Sequence, residues 1–394
     1  MGYEGNLCSR CSITSEYKYE RENEFECRKW QNPLINSIRV FGLMLLMFCF
    51  FMLIIIINVR KTQESELSVL LRIMTNYLQL ITTSMSMSLS YPEFLNSIVG
   101  PIVKLGGSSD TFLSFDWFIT DNEIKGPFES NAVFKLFLLA FLPIALFIVI
   151  SIIWLILYVI NTKYVKDMTR NLVISFISIV FLLHPKLTQQ SINTFRWIQI
   201  GEDTSVARFD MDIEWYSAAH IKYCLFLALP ILIVWVISMP VSAFVLLLKH
   251  RKECESNKVK EYFLIFYQGL TPHVFYWEFV NTLRKTIVLA SLLLSDNLKI
   301  AVSSLTLIIT GRLQLQLKPY KNNDNNKIEF LAIVAGVVTI LSSFIFTEKQ
   351  KVNTLNNTIV IFVIMLNIIF ILQWVYLLSR IFKTKFAQIV ISSY

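Results

Sequence analysis

Uninterrupted apolar blocks constrain this chain more than any other feature of its sequence. The stretch Met44 to Ile57 holds only Met, Leu, Phe, Ile and Cys49, and the surrounding block Val40–Val59 is of similar character. An α-helix rises about 1.5 Å per residue, so about 20 apolar residues cross a hydrocarbon core about 30 Å thick. Further blocks lie at Val69–Leu89, Val133–Ile160, Leu172–Leu187, Tyr223–Leu248, Phe275–Ser295, Leu298–Leu317, Ile328–Phe346 and Thr358–Phe382. Barrel strands would alternate apolar and polar residues, and these blocks do not, so helices are the expected spanning element.

Composition agrees. Hydrophobic residues make up 55% of the 394 and charged residues 16%, against about 45–50% and about 25% in soluble domains. Too little polar surface exists to cover a water-soluble body of this size. The fold class expected is an all-α integral membrane protein, a polytopic bundle of about nine transmembrane helices over 39–382. A short extracellular Cys-containing segment (1–38) precedes it and a cytosolic tail (383–394) follows. Block 69–89 is the weakest span, interrupted by Arg72, Asn76 and Gln79.

Orientation follows from the basic residues, which resist translocation. With the N-terminus outside, the inner loops hold Arg60 and Lys61, then Lys163, Lys166 and Arg170, and then the dense run Lys249 to Lys260. Lys318, Lys321 and Lys327 and the tail residues Arg380, Lys383 and Lys385 also fall inside. The outer loops are longer and hold few cations. This assignment requires 69–89 to span. The first 38 residues lack the charged, apolar and small-residue regions of a cleavable signal. Either Val40–Val59 acts as a signal anchor, or the chain is the tail of a longer protein.

Three cysteines, Cys8, Cys11 and Cys27, lie in the outer segment, where disulfides are favoured over half of a zinc site because no second ligand pair follows. The run Lys249–Lys260 is read either as the ordinary inner-loop bias or as a site for anionic lipid. The segment Glu261–Lys285 reads as an amphipathic stretch that lies at the interface and then turns inward. Tyr262, Tyr267, Tyr276 and Trp277 suit headgroup depth, and Gly269 and Pro272 mark a bend. A cation deep in lipid is costly, so Arg284 and Lys285 call for an anionic partner or an edge position, and Glu278 is the nearest candidate. These residues serve either as a coupling element or as a structural ion pair. Arg312, Gln314 and Gln316 end the seventh block, Pro319 stops it, and Asn322 to Asn326 reads as a solvated turn before Glu329.

No hydrolase, nucleotide-binding or zinc-protease motif occurs, and the four histidines are too dispersed for a helical metal pair. The chain is not expected to be an enzyme or to need a cofactor or metal, and it carries no nucleic-acid signature. Neither a regular arginine ladder nor a selectivity-loop motif is present. A transporter is disfavoured because no acidic residue falls in the middle of a span.

Several phrases together resemble a known family. They are Gly2 to Cys11, Asn76-Tyr77-Leu78-Gln79, Tyr91-Pro92, Phe115-Asp116, His184-Pro185, Trp235 with Pro240, Gly269, Tyr276-Trp277-Glu278-Phe279 with Arg284-Lys285, Lys318-Pro319-Tyr320, and Asn326 to Glu329. The chain resembles the multi-pass C-terminal region of cysteine-rich surface proteins of ciliates and other protists, a region distantly similar to TRP-like membrane proteins. The likeness implies a TRP-like cation channel or channel-like sensor. The alternative it implies is a receptor or adhesion-type anchor for a cysteine-rich ectodomain. Trp277, Glu278, Arg284, Lys285, Arg312, Pro319, Tyr320 and Glu329 are the candidate structural or gating residues. Membrane lipids, and a second copy of the chain, are the expected partners, and the plasma membrane the expected location. Where the resemblance implies outer-loop cysteines, this chain has Trp30, Trp117, Trp197 and Trp215, so a reassigned UGA codon is a further expectation, tested by reading those codons.

Overall fold

The computed structural model describes residues 33–60, 66–85, 130–160, 167–200, 204–250, 262–263, 266–347 and 353–392, with short N-terminal pieces at 3–4, 6, 10–11, 19–21 and 27–29. The chain divides into two compact units. One comprises Met1–Arg60 with Ser109–Tyr262, and the other Lys61–Ser108 with Phe263–Tyr394.

In the first unit, β1 (Tyr3–Glu4) pairs with β2 (Arg10–Cys11), and β3 (Tyr19–Arg21) with β4 (Cys27–Lys29), both antiparallel. The disulfide expectation for Cys8, Cys11 and Cys27 concerns side chains outside the described residues. Helix α1 covers Pro33–Arg60. The second unit begins with α2, Glu66–Met85. The first unit resumes with α3 (Asn131–Ile160) and α4 (Met168–Thr194). An antiparallel sheet of β5 (Trp197–Ile200), β6 (Thr204–Ala207) and β7 (Asp210–Glu214) follows. A long helix, α5, then covers Ala218–Lys249.

Helix α4 is the spine of this unit. It packs against α1, α3 and α5, around Ile55, Trp154, Ile174, Ile179, Leu183, Leu187, Ile231 and Trp235. Its inward face is also polar: Asn171, Ser175, Ser178, His184, Thr188 and Ser191 are all buried. Such groups require partners away from water. Trp154 Nε1 donates to Ser175 Oγ at 3.1 Å, and Ser191 Oγ donates to the Ala228 carbonyl at 2.9 Å.

Helix α5 departs from α geometry. Its turns Cys224–Ala228 and Leu232–Ser238 are π-helical, and Pro230 and Pro240 interrupt it. Pro240 has no N–H, so the Val236 carbonyl, four residues back, lacks its α-helical donor. His184 Nε2 on α4 donates to that carbonyl at 3.2 Å. Ser217 caps the helix start, its hydroxyl accepting from the His220 N–H at 3.2 Å. Trp215 packs at 4.4 Å between ring centroids on His220.

The second unit continues after a 3₁₀ turn at Pro272–Val274. Helix α6 covers Trp277–Ala290, α7 Asp296–Leu317, α8 Asn323–Thr347 and α9 Asn353–Ser392. Helix α8 packs on α2, α7 and α9. Tyr77 on α2 stacks on Phe370 of α9 at 3.9 Å and donates to Asn367 Oδ1 at 2.5 Å. Gly336 on α8 lets α2 approach closely: a Cβ there would stand 2.3 Å from Leu80 Cδ2.

Among the described residues, six helices are long and apolar enough to cross a membrane: α3, α4, α5, α7, α8 and α9. Their outward faces are apolar, with Phe141, Ile148 and Leu155 on α3 and Ile361, Ile368 and Leu372 on α9 all exposed. Continuous exposed apolar surface of this kind is what lipid covers. The protein is therefore a multi-pass integral membrane protein. The expected span at 275–295 is shorter than read from the sequence. Helix α6 has 14 residues, about 21 Å at 1.5 Å each, too short for the hydrocarbon core. The block at 69–89 contains a helix that ends at Met85.

Candidate buried charged site

The turn between α7 and α8 organises the charged end of the second unit. Lys318 closes α7 in the left-handed region (φ 41°), its N–H reaching the Gln314 carbonyl. Pro319 follows and cannot extend the helix. The chain then pairs briefly with the segment before α6. Thr271 N donates to the Pro319 carbonyl at 2.7 Å, and Lys321 N to the Gly269 carbonyl at 2.9 Å. Gly269 has φ 75°, and a Cβ there would stand 2.4 Å from Val69 Cγ2, so glycine is required on both counts. Asn326 fastens the turn from within. Its Oδ1 accepts from Tyr320 N at 3.0 Å and its Nδ2 donates to the Tyr320 carbonyl at 2.7 Å. The stretch read as a solvated turn is thus partly helical and buried: α8 begins at Asn323, and Asn325 and Asn326 face inward.

Above this turn, charged side chains of α2, α6 and α8 meet. Residues 277, 278, 281, 284 and 285 are spaced three or four apart, which places them on one side of α6. Arg284 Nη2 bonds Glu329 Oε1 of α8 at 3.3 Å, with side chains 3% and 1% exposed. Lys285 Nζ donates to Asn76 Oδ1 of α2 at 2.6 Å. Glu278 pairs with Arg72 of α2 at 3.5 Å, and Arg72 Nη2 also donates to the Gln268 carbonyl at 2.6 Å. The sequence pointed to Glu278 as the partner of Arg284 and Lys285. In the structure Glu278 is taken by Arg72, because α2 lies against α6 and brings its cation to that carboxylate. The interruption of the second apolar block by Arg72, Asn76 and Gln79 was the signal that α2 faces polar neighbours.

The candidate residues sort clearly. Trp277, Glu278, Arg284, Pro319, Tyr320 and Glu329 are all buried, Lys285 is half-buried and bonded to Asn76, and Arg312 is exposed on α7 and stands apart from the network. Trp277 was expected at headgroup depth. It is instead completely buried with Leu70, Val274, Tyr320 and Ile328, since the turn at Pro272 directs it into the unit. Glu278 and Glu329 are both buried, each near the start of its helix and not at its middle.

Several buried polar atoms here have no hydrogen-bond partner among the described residues: both side-chain atoms of Asn281, Trp277 Nε1, Arg284 Nη1, Gln314 Oε1, Tyr320 Oη, Asn76 Nδ2 and Glu329 Oε2. Each costs about 1–3 kcal/mol if left unmade. Burial, reinforced by the negative Glu329, pushes the Tyr320 phenol well above its ordinary pKa, so it stays a neutral donor. Asn281 went unnoticed in the sequence. It sits one turn from Trp277, Glu278, Arg284 and Lys285, and that spacing was the available signal. Among the described residues no group of three or more His, Cys, Asp or Glu is placed to hold a metal ion. The site is a buried network of charged and polar side chains.

No protein-family model, curated protein or solved structure matches this chain.

Proposed function

We propose that this multi-pass membrane protein is a TRP-like, channel-like sensor of the plasma membrane, in which the network around Arg284 and Glu329 sets the balance between two packings of the second unit. The observation that carries the reading is the Arg284–Glu329 pair, buried at 3.3 Å and flanked by polar atoms without hydrogen-bond partners among the described residues. A buried ion pair is a poor stabiliser compared with apolar packing of the same volume. Buried charges in membrane helices instead mark functional elements. Here the three helices that supply them are held by distinct contacts: α2 through Arg72 and Asn76, α6 through Glu278, Arg284 and Lys285, and α8 through Glu329. Exchange of partners among these groups moves one helix relative to the others. That is the kind of discrete rearrangement on which gating rests.

Full-length protein reconstituted in planar bilayers is expected to pass cations. Folded protein that stays electrically silent at all voltages contradicts the reading and favours the anchor or receptor role.

A further inference from the structure

We infer that Arg312 of α7 anchors a binding site for the phosphate of an anionic phospholipid. The site stands apart from the Arg284–Glu329 network and does not rest on the channel reading. Leu305, Ile308, Ile309, Arg312, Leu315 and Gln316 follow one another at steps of three and four, so they share one side of the helix. All six are exposed. Helix α7 is long and apolar enough to cross a membrane, so this side faces lipid, and Arg312 has isoleucine before it and leucine after it. A cation in such a place is costly unless it is matched. The carboxylates that form ion pairs are taken elsewhere: Glu278 by Arg72, Glu329 by Arg284, Asp324 by Arg380, and Asp296 by Lys299 at the opposite end of α7. Among the described residues the Arg312 guanidinium has no ion pair or hydrogen bond to protein.

Position along the helix names the oxyanion. Arg312 lies about 7.5 Å along the axis from Leu317, the last helical residue. Its Cα–Cβ bond tilts toward the start of α7, away from that nearer end, so the side chain spends part of its length in turning back. A lipid phosphate at the boundary meets it there, and the guanidinium fork fits two phosphate oxygens with parallel bonds. The surrounding charge selects an anionic lipid over a zwitterionic one. Lys318 closes α7, Lys327 lies near the start of α8, and Lys383 lies one turn beyond Arg380 on α9, all three exposed. The Arg380–Asp324 bond, 2.9 Å long, brings α9 to this same end. Among the described residues here, Glu66, bonded to Asn322, is the carboxylate left to oppose these cations. A headgroup without an ammonium of its own complements this end better than choline does.

The test is native mass spectrometry of the purified full-length protein in detergent, titrated with three probes. These are phosphatidylglycerol, phosphatidylcholine with the same acyl chains, and soluble glycerol phosphate. The wild type is expected to bind phosphatidylglycerol at least about fivefold more tightly than phosphatidylcholine, and to take up no glycerol phosphate in a saturable way. Arg312→Leu is expected to lose the preference. Arg312→Lys keeps the charge without the fork and is expected to fall between the two. Lys318→Asn, which suits the left-handed backbone at that position, is expected to weaken phosphatidylglycerol binding by up to about fivefold. Leucine matches the residues around position 312, so Arg312→Leu is expected to melt no lower than the wild type in phosphatidylcholine micelles. Equal affinity of the wild type for the two lipids, saturable binding of glycerol phosphate, or the full preference retained in Arg312→Leu would overturn the inference. A lower melting temperature of Arg312→Leu in phosphatidylcholine would overturn it too, since it would reveal a protein contact. Binding is read without current, so a silent channel and an absent site give different results.

Discussion

Arg284 and Glu329 lie 45 residues apart in sequence and meet at 3.3 Å, both almost fully buried. Removing one member of such a pair strands a charge, which costs about 3–5 kcal/mol, whereas replacing both with apolar residues of similar size is often neutral. Arg284→Ala and Glu329→Ala are therefore expected each to lower the unfolding midpoint strongly. Arg284→Met with Glu329→Leu is expected to recover most of the loss. A double-mutant cycle from thermal melts in one detergent checks this, and additive single effects would show that the two side chains are independent.

Asn326 closes the α7–α8 turn with two bonds to the Tyr320 backbone. Asn326→Ala leaves a buried N–H and a buried carbonyl unpaired, at about 1–3 kcal/mol for each group. Asn326→Asp keeps the acceptor for Tyr320 N and loses the donor to its carbonyl, so it is expected to fall between wild type and alanine. Chemical denaturation of the three proteins gives the order.

The Val236 carbonyl depends on His184 because Pro240 removes the helical donor. His184→Ala is expected to destabilise the first unit by about 1–3 kcal/mol. Pro240→Ala restores a backbone N–H, and in its presence the histidine substitution is expected to cost less. If His184→Ala costs the same with and without Pro240, the carbonyl is satisfied in another way.

Gly336 is set by the approach of α2. A methyl group there meets Leu80 Cδ2 at 2.3 Å and Cγ at 3.0 Å, an overpacking that costs about 1–3 kcal/mol. Gly336→Ala is expected to lower the melting temperature, and Leu80→Ala to relieve it in the double variant. Melting curves of the two single variants and the double supply the comparison.

The helices that the sequence displayed well are those whose faces are almost wholly apolar. Residues 133–160, 223–248 and 298–317 match α3, α5 and α7 to within a few residues, because lipid imposes length and apolarity locally. What the sequence concealed depends on contacts between distant segments. The polar face of α4 is legible as polar residues but not as buried ones, since its cover comes from α1, α3 and α5. Helix α6 looked like a span because Leu283, Val288 and Leu289 continue the apolar block, while only the α7 start after the Ser291–Leu293 turn reveals its length. The exchange of partners, Glu278 with Arg72 and Arg284 with Glu329, joins α2 and α8 to α6 across long stretches of chain. No local spacing encodes it.

Single-channel recording of Glu329→Gln beside wild type tests the account most directly. Glutamine keeps the size of the side chain and removes the charge that holds Arg284. The account predicts at least a several-fold change in open probability at constant unitary conductance. An unchanged open probability in a folded variant, or a change confined to conductance, would contradict it.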